Sequence, residues 1–211
     1  GRIVAGRVPP NPAIYHITHV ANLVSIVGHG CLFSDSERIA RGLQPQNIGY
    51  THIKQRRLRR SVPVAAQGML GDYVPFNFCN RSVMLYALRA GHQDYAGTQD
   101  EIVHLVSSVQ TAVSANRPWA FTDRHAELGY TQYFESLSEL SEVDWTVMPL
   151  VYWSNTDDTK EKRQAEFLVH KSFPWSAIER IGVHDQTIAA KVQAALGRDT
   201  LPIEIQPSWY Y

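Results

Sequence analysis

Period-two alternation through residues 162–170 sets Ala165, Phe167 and Val169 on one face and Gln164, Glu166, Leu168 and His170 on the other. This predicts a buried strand with a lone acid, Glu166, in its middle, just after a basic, turn-like approach at Lys162 and Arg163. Similar short apolar runs predict strands at 14–18, 73–78 (broken by Pro75), 102–107, 119–123, 147–152, 178–183 and 201–205. Val20, Leu23, Val24 and Val27 follow helical spacing, which predicts a helix over 20–29 that Gly30 stops. Further helical pattern is read at 82–88, in the segment up to Asn116, as an acidic helix at 132–140, and at 185–196 with Asp185 as its N-cap. Residues 9–13 form a Pro-rich lead-in, 31–46 an excursion of short helical pieces and turns, and 154–159 a loop of Ser, Asn, Asp and Thr. Short strands mixed irregularly with helices favour an α+β fold over the regular alternation of a doubly wound sheet.

At 211 residues the chain suits one sizeable core, and 44% hydrophobic with 19% charged residues is the composition of a globular domain. Residues 1–12 are expected to be a lead-in whose start, Gly rather than Met, derives from an expression vector, and 13–211 a single domain. The longest apolar run, near 20–27, is interrupted by Asn22 and Ser25 and is too short to cross a bilayer. With no signal-peptide pattern, the expected location is the cytoplasm. Cys31 and Cys79 form no Cys-x-x-Cys pair, so neither a disulfide framework nor a thiolate metal site is indicated. Formal net charge is zero, yet residues 1–90 hold eleven Lys/Arg against three Asp/Glu and residues 91–211 hold nine against seventeen. Such asymmetry points to a positive surface for a polyanion, with the acidic half packed against it or turned away.

Much common chemistry is set aside: the chain has no Gly-x-Gly-x-x-Gly, no Walker-type Gly-Lys-Ser/Thr, no His-Glu-x-x-His and no Gly-x-Ser-x-Gly. His16 and His19 are three apart but do not share a face of a strand that leaves into a turn, so no metal is expected. Lys54, Arg56, Arg57, Arg59 and Arg60 place five cations in seven residues; a solvated basic face and a phosphate-binding surface are both open readings. Glu166 likewise leaves two readings, a surface acid on a half-exposed strand or a carboxylate held in a buried site by a cationic partner.

Three segments carry unusual polar residues in apolar surroundings: Tyr15-His16-Ile17-Thr18-His19-Val20-Ala21-Asn22-Leu23, Ile48-Gly49-Tyr50-Thr51-His52-Ile53-Lys54-Gln55-Arg56-Arg57, and Arg163-Gln164-Ala165-Glu166-Phe167-Leu168-Val169. With Arg81-Ser82-Val83-Met84-Leu85 they resemble, in order, the signature set of the DarT-type DNA ADP-ribosyltransferase toxins, from about Ala13 to the C-terminal strand. The chain departs from that pattern at Val83, where the family has Pro, and at Asn77 and Asn80. The resemblance implies an ADP-ribosyltransferase-like split central β-sheet flanked by helices, NAD in the cleft as co-substrate, and transfer of ADP-ribose to a base in single-stranded DNA with release of nicotinamide. It implies Glu166 as the catalytic glutamate and Arg57 as the essential arginine, here read as a binder of the NAD pyrophosphate and a stabiliser of an anionic base. His16, Ile17, Thr18, Asn22 and Gly49 are implied as NAD contacts, with Asn22 alternatively a plain helix cap. His125 is the candidate contact to the target base, Lys54, Arg56 and Arg60 to DNA, and Met84 packs against the base or in the core. The expected activity is that of a sequence-specific, metal-free, monomeric toxin acting on thymidine, with a DarG-type macrodomain antitoxin as partner. The alternatives are a guanosine-modifying relative and a non-catalytic nucleic-acid-binding domain.

Overall fold

The computed structural model describes residues 6–211, so the first five residues of the lead-in lie outside the described residues. The strands are β1 Ala13–His19, β2 Cys31–Phe33, β3 Tyr73–Asn77, β4 Ile102–Ser108, β5 Trp119–Thr122, β6 Tyr133–Phe134, β7 Glu166–His170, β8 Ser172–Pro174, β9 Arg180–Val183 and β10 Ile203–Ile205. The helices are α1 Leu23–His29, α2 Asp35–Ala40, α3 Thr51–Arg57, α4 Val83–Ala90, α5 Val109–Ser114, α6 Asp157–Arg163 and α7 Gln186–Leu196. One sheet runs β10-β9-β4-β1-β3-β7-β5-β6, and β2 pairs with β8 apart from it.

The two central strands of this sheet barely touch. β1 pairs antiparallel with β4 along its whole length, from Ala13 opposite Ser108 to His19 opposite Ile102, but meets β3 only at Tyr15 opposite Asn77. The sheet is therefore two four-stranded halves that diverge from one bridge. The gap explains how Pro75 sits inside a strand expected to break there. On its β1 side β3 is an unpaired edge beyond Asn77, the place where a strand tolerates a residue without an N–H. His16 reaches over from β1, its Nδ1 donating to the Pro75 carbonyl at 2.7 Å.

The alternation of β7 is borne out and both of its faces are covered, but the strand starts at Glu166, which sits at its end rather than in its middle because α6 runs on to Arg163. Phe167 and Val169 join the main core with Phe76, Phe121 and Phe173, while Leu168 packs on the other side with Tyr73, Leu70, Val62 and Ala126. Gly30 stops α1 in the left-handed conformation, φ 70°, which costs glycine no Cβ clash. Asp185 caps α7 by accepting from the Ile188 N–H at 3.0 Å, and Ile188, Ala189, Val192 and Leu196 turn inward.

Three expectations fail for tertiary reasons. The acidic helix over 132–140 is instead the short strand β6, where Phe134 pairs with Phe121 and Tyr133 with Thr122, followed by a 3-10 turn at Leu137–Glu142. Pairing at the exposed edge of β5 buries the two aromatics better than an isolated helix could. The strand over 147–152 does not form, and the loop over 154–159 gives up its last residues to α6. Both changes centre on Arg163, which ends α6 and is 2% exposed. Its Nη1 donates to the carbonyls of Val147 (2.7 Å) and Met148 (2.9 Å), and its Nη2 and Nε to that of Arg81 (2.8 and 3.3 Å). Carbonyls that a strand partner would have taken are bound by one buried guanidinium, which also ties the start of α4 to the approach of β7. An unsatisfied buried carbonyl costs roughly 1–3 kcal/mol. Arg163→Met should thus destabilise the fold by about 3 kcal/mol or more, read as a lower urea midpoint, and a change under about 1 kcal/mol would show that these carbonyls find other donors.

Candidate active site

Glu166 is the first residue of β7 and pairs with Asn77, the residue at which β3 leaves β1. Its backbone N–H donates to Thr122 Oγ1 (2.9 Å), and that hydroxyl donates to the Arg124 carbonyl (2.7 Å), so the ends of β5 and β7 are tied together. Its carboxylate is met head-on by Arg57, with Nη2 to Oε1 at 2.9 Å and Nη1 to Oε2 at 3.2 Å. The two side chains are 13% and 11% exposed. A two-pronged pair of this kind fixes orientation as well as charge. Burial opposes the Arg57 charge, but Glu166, with Glu127 and Tyr133 behind it, outweighs burial and holds the guanidinium pKa above its ordinary value. Arg57 is a cation at any working pH.

The helix that delivers Arg57 is only seven residues long, has no side-chain cap and buries no residue fully. Its cations dock it instead. Lys54 bonds Asp35 on α2 (3.2 Å), Arg56 bonds Glu127 (3.2 Å), Arg57 takes Glu166, and just beyond the helix Arg60 Nη2 donates to the Leu128 carbonyl (2.8 Å). The basic run is thus neither a plain solvated face nor a uniform phosphate surface. Lys54, expected beside Arg56 and Arg60, turns the other way: its chain lies over Gly49, where an added Cβ would fall 2.9 Å from Lys54 Cε.

On the Lys54 side, a recess of about 180 Å³ is lined by Asp35, Arg38, Ile39, Leu43, Pro45, Asn47, Lys54 and Leu58. Arg38 and Lys54 share the single carboxylate of Asp35, and the buried Arg38 Nε has no hydrogen-bond partner. Burial, with Arg38 and Arg57 nearby, brings the Lys54 pKa down to about 7. Two cations crowded onto one acid, one of them with an unpaired guanidinium nitrogen, fit an anionic group such as a pyrophosphate. Burial, with Arg38 and Lys54 adding to it, lowers the His16 pKa to about 4. The ring is neutral, its Nδ1–H is on Pro75, and Nε2 remains an acceptor. Asn22 is neither a side-chain cap nor open: it accepts from the Gln46 N–H (2.8 Å) and donates to the Gln46 carbonyl (2.9 Å) and Thr18 Oγ1 (3.0 Å), clamping the 43–50 segment onto β1. Ile17 packs with Ile102 and Trp209.

On the other side of the Arg57 and Glu166 pair lies the β5–β6 connection with His125. Its backbone N–H donates to the Glu161 carbonyl (2.9 Å), its Nδ1 accepts from the Glu127 N–H (3.2 Å), and burial lowers its pKa despite the nearby Glu166 and Glu127. Met84 is 37% exposed on α4, so the core alternative for it does not hold. Val83 is the first residue of α4, a position that Pro and other residues share without loss of a helix bond. Sequence reasoning missed Arg38, Thr122 and Glu127, which sit in segments with no periodic pattern or at a strand end and gain meaning only from their partners. Among the described residues Asp100, His184 and Asp185 have donor atoms within 4.8 Å of one another, the spacing of a metal site, and this group includes neither His16 nor His19. No helix among the described residues is long and apolar enough to cross a membrane.

A mixed sheet split at its centre, with a glutamate and an arginine at the divergence point, defines an ADP-ribosyltransferase-like fold, the class implied by the signature segments. Residues 15–211 match the family described as ssDNA thymidine ADP-ribosyltransferase, DarT, and the chain belongs to this family of DNA ADP-ribosyltransferases. It is 44% identical over 207 residues to a DNA ADP-ribosyl transferase of Thermus aquaticus, covering 96% of this chain and 90% of that protein. It is similar in structure to Thermus sp. 2.9 DarT in complex with ADP-ribosylated ssDNA, with TM-score 0.93 and 40% identity over 98% of this chain and 100% of the other. The same relative in complex with NAD+ superposes with TM-score 0.87 and 39% identity over 97% and 100% of the two chains. A more distant relative, 25% identical over 94% of this chain and 49% of its own, is a Thermosipho africanus fusion of DNA ADP-ribosyl transferase with DNA ADP-ribosyl glycohydrolase.

The His16 titration has a measurable sign. Its folded pKa, about 4, lies below the ordinary 6.5, so between these values the unfolded chain binds a proton that the folded chain does not. Stability should therefore fall as pH drops through that window. Urea midpoints compared at neutral pH and at mildly acidic pH should show a smaller acid loss for His16→Gln than for the wild type; equal losses would place the acid sensitivity elsewhere.

Proposed function

We propose that this protein transfers ADP-ribose from NAD+ to thymidine in a short single-stranded DNA sequence, releasing nicotinamide, and that it acts in the cytoplasm as the toxin of a toxin–antitoxin pair. The observation that carries the reading is the Arg57 and Glu166 pair, with a cation-crowded recess on one side and the His125 loop on the other. In this scheme Arg38 and Lys54 meet the NAD pyrophosphate with Gly49 beneath the Lys54 chain, and His16 and Thr18 on β1 hold the nicotinamide end. The bond from nicotinamide to ribose C1 breaks with its electron pair leaving on nicotinamide, and positive charge develops on the ribose. Each Glu166 oxygen keeps a second lone pair while bonded to Arg57, so the carboxylate can accept from a ribose hydroxyl and stabilise that charge as it grows.

On the acceptor side, thymine has one ring N–H. Its proton goes to solvent, and the nitrogen pair forms the new bond to C1. Because Arg57 stays charged, it serves as an electrostatic stabiliser of the anionic base rather than as its proton acceptor. His125 contacts the base, Arg56 and Arg60 meet the strand, and Met84, exposed on α4, is the apolar candidate to pack against the base. Single-stranded DNA presents its bases without the cost of extrusion from a duplex. No metal enters the scheme. A separate macrodomain that hydrolyses the ADP-ribosyl group is the partner, a pairing supported by the two activities joined in the Thermosipho africanus fusion.

The test is incubation with NAD+ and mixed-sequence oligonucleotides, with mass spectrometry of the products. An adduct on thymidine, lowered by roughly 10²-fold or more in Glu166→Gln while NAD+ still binds, is the expected result. An adduct on guanosine would replace the acceptor, and a Glu166→Gln protein as active as the wild type would remove the carboxylate from the mechanism.

A further inference from the structure

A second, larger recess, about 440 Å³, opens where the chain beyond α3 meets the β5–β6 connection, lined by Arg59, Arg60, Ser61, Pro63, Thr131 and Tyr133. It shares no lining residue with the Lys54 recess, and its Tyr133 lies on β6, on the far side of β5 from β7. Its lining holds two guanidiniums, the hydroxyls of Ser61, Thr131 and Tyr133, and no carboxylate. Arg60 is aimed by its bond to the Leu128 carbonyl, and Tyr133 is fixed by its own bond to the Ala126 carbonyl at 2.6 Å. Arg59 differs from the other four cations of the basic run. Among the described residues its side chain has no hydrogen bond or ion pair, it is exposed, and it stands two residues from Arg57.

We propose that this recess is a phosphodiester subsite for the strand being modified, in which Arg59 and Arg60 grip a backbone phosphate next to the target nucleotide. The proposal rests on the DNA-acceptor reading above and adds where the strand is held. Arg59 is free for a ligand, Arg60 spends only its Nη2 on the Leu128 carbonyl and keeps its other guanidinium N–H groups, and the recess lies on the His125 side, where the base would enter. A phosphate fits the lining because guanidinium pairs bind phosphate oxygens in a planar, two-pronged manner, with Ser61 and Thr131 supplying hydroxyls at the rim. Such a contact carries no sequence information; it positions the strand so that the base reaches the reacting pair.

The experiment measures transfer to a short single-stranded oligonucleotide by the wild type and Arg59→Ala, across a range of salt, and with oligonucleotides carrying one neutral methylphosphonate at successive positions. Arg59→Ala should raise the KM for DNA several-fold while the KM for NAD+ holds. It should also flatten the slope of log kcat/KM against log salt by about 0.7, the value of one single-strand phosphate contact. One methylphosphonate position should impair the wild type and have no further effect on Arg59→Ala. If every methylphosphonate penalty persists in the variant, or if the KM for NAD+ moves instead, the subsite is overturned. A wild type that labels no DNA at all would overturn the acceptor reading itself, which separates the two failures.

Discussion

β1 and β3 share a single backbone bridge, Tyr15 to Asn77, and then part. A sheet gains its cohesion from continuous ladders, so two central strands that decline to pair leave unmet N–H and C=O groups facing one another. The protein meets this locally. Pro75 removes one donor from the exposed edge, and the neutral His16 ring satisfies the Pro75 carbonyl from the far side. What remains is an opening between two half-sheets, and Glu166 sits at the point of divergence because it pairs with Asn77, the one residue of β3 that bridges β1.

Charge then does what apolar packing usually does for a helix. The α3 helix has no buried face, yet it must hold Arg57 within hydrogen-bond distance of Glu166. It is tied down by Lys54 to Asp35, Arg56 to Glu127 and Arg57 to Glu166, with Arg60 on a backbone carbonyl just past its end. Glu127 and Glu166 come from the acidic half of the chain and the arginines from the basic half. Part of the charge asymmetry is therefore internal complementarity, consistent with a net charge of zero. A guanidinium suits the central position because it remains charged when buried and presents two parallel donors, neither of which an ammonium could supply.

The Arg57 and Glu166 pair also divides the cleft. Toward α2 the surroundings are cationic and under-neutralised, with Arg38 and Lys54 on one acid; toward the β5–β6 connection they are mixed, with His125, Glu127 and Tyr133. This polarity separates a place for an anionic donor from a place for an acceptor, with the reacting charges between them. Arg163, on the helix that leads into β7, keeps the loops on this side in register by binding three backbone carbonyls from two distant segments.

The sequence by itself determined the local elements whose signals are covalently near. These are the alternation of β7, the glycine stop of α1, the Asp185 cap of α7, and the ordered segments that carry His16, Arg57 and Glu166. It also determined the family, because those segments survive as a set. Only the tertiary structure decided how the polar residues are used. Arg163 looked like part of a basic turn and is a buried hub; Asn22 is a clamp on Gln46; Lys54 faces away from Arg56 and Arg60. Residues 132–140 and 147–152 went astray because the edge of β5 and the Arg163 guanidinium compete for their backbone. A hydrogen-bond partner more than a hundred residues away, as Glu166 is from Arg57, leaves no periodicity in the chain, and so the pairing that makes the site had to be read from the fold.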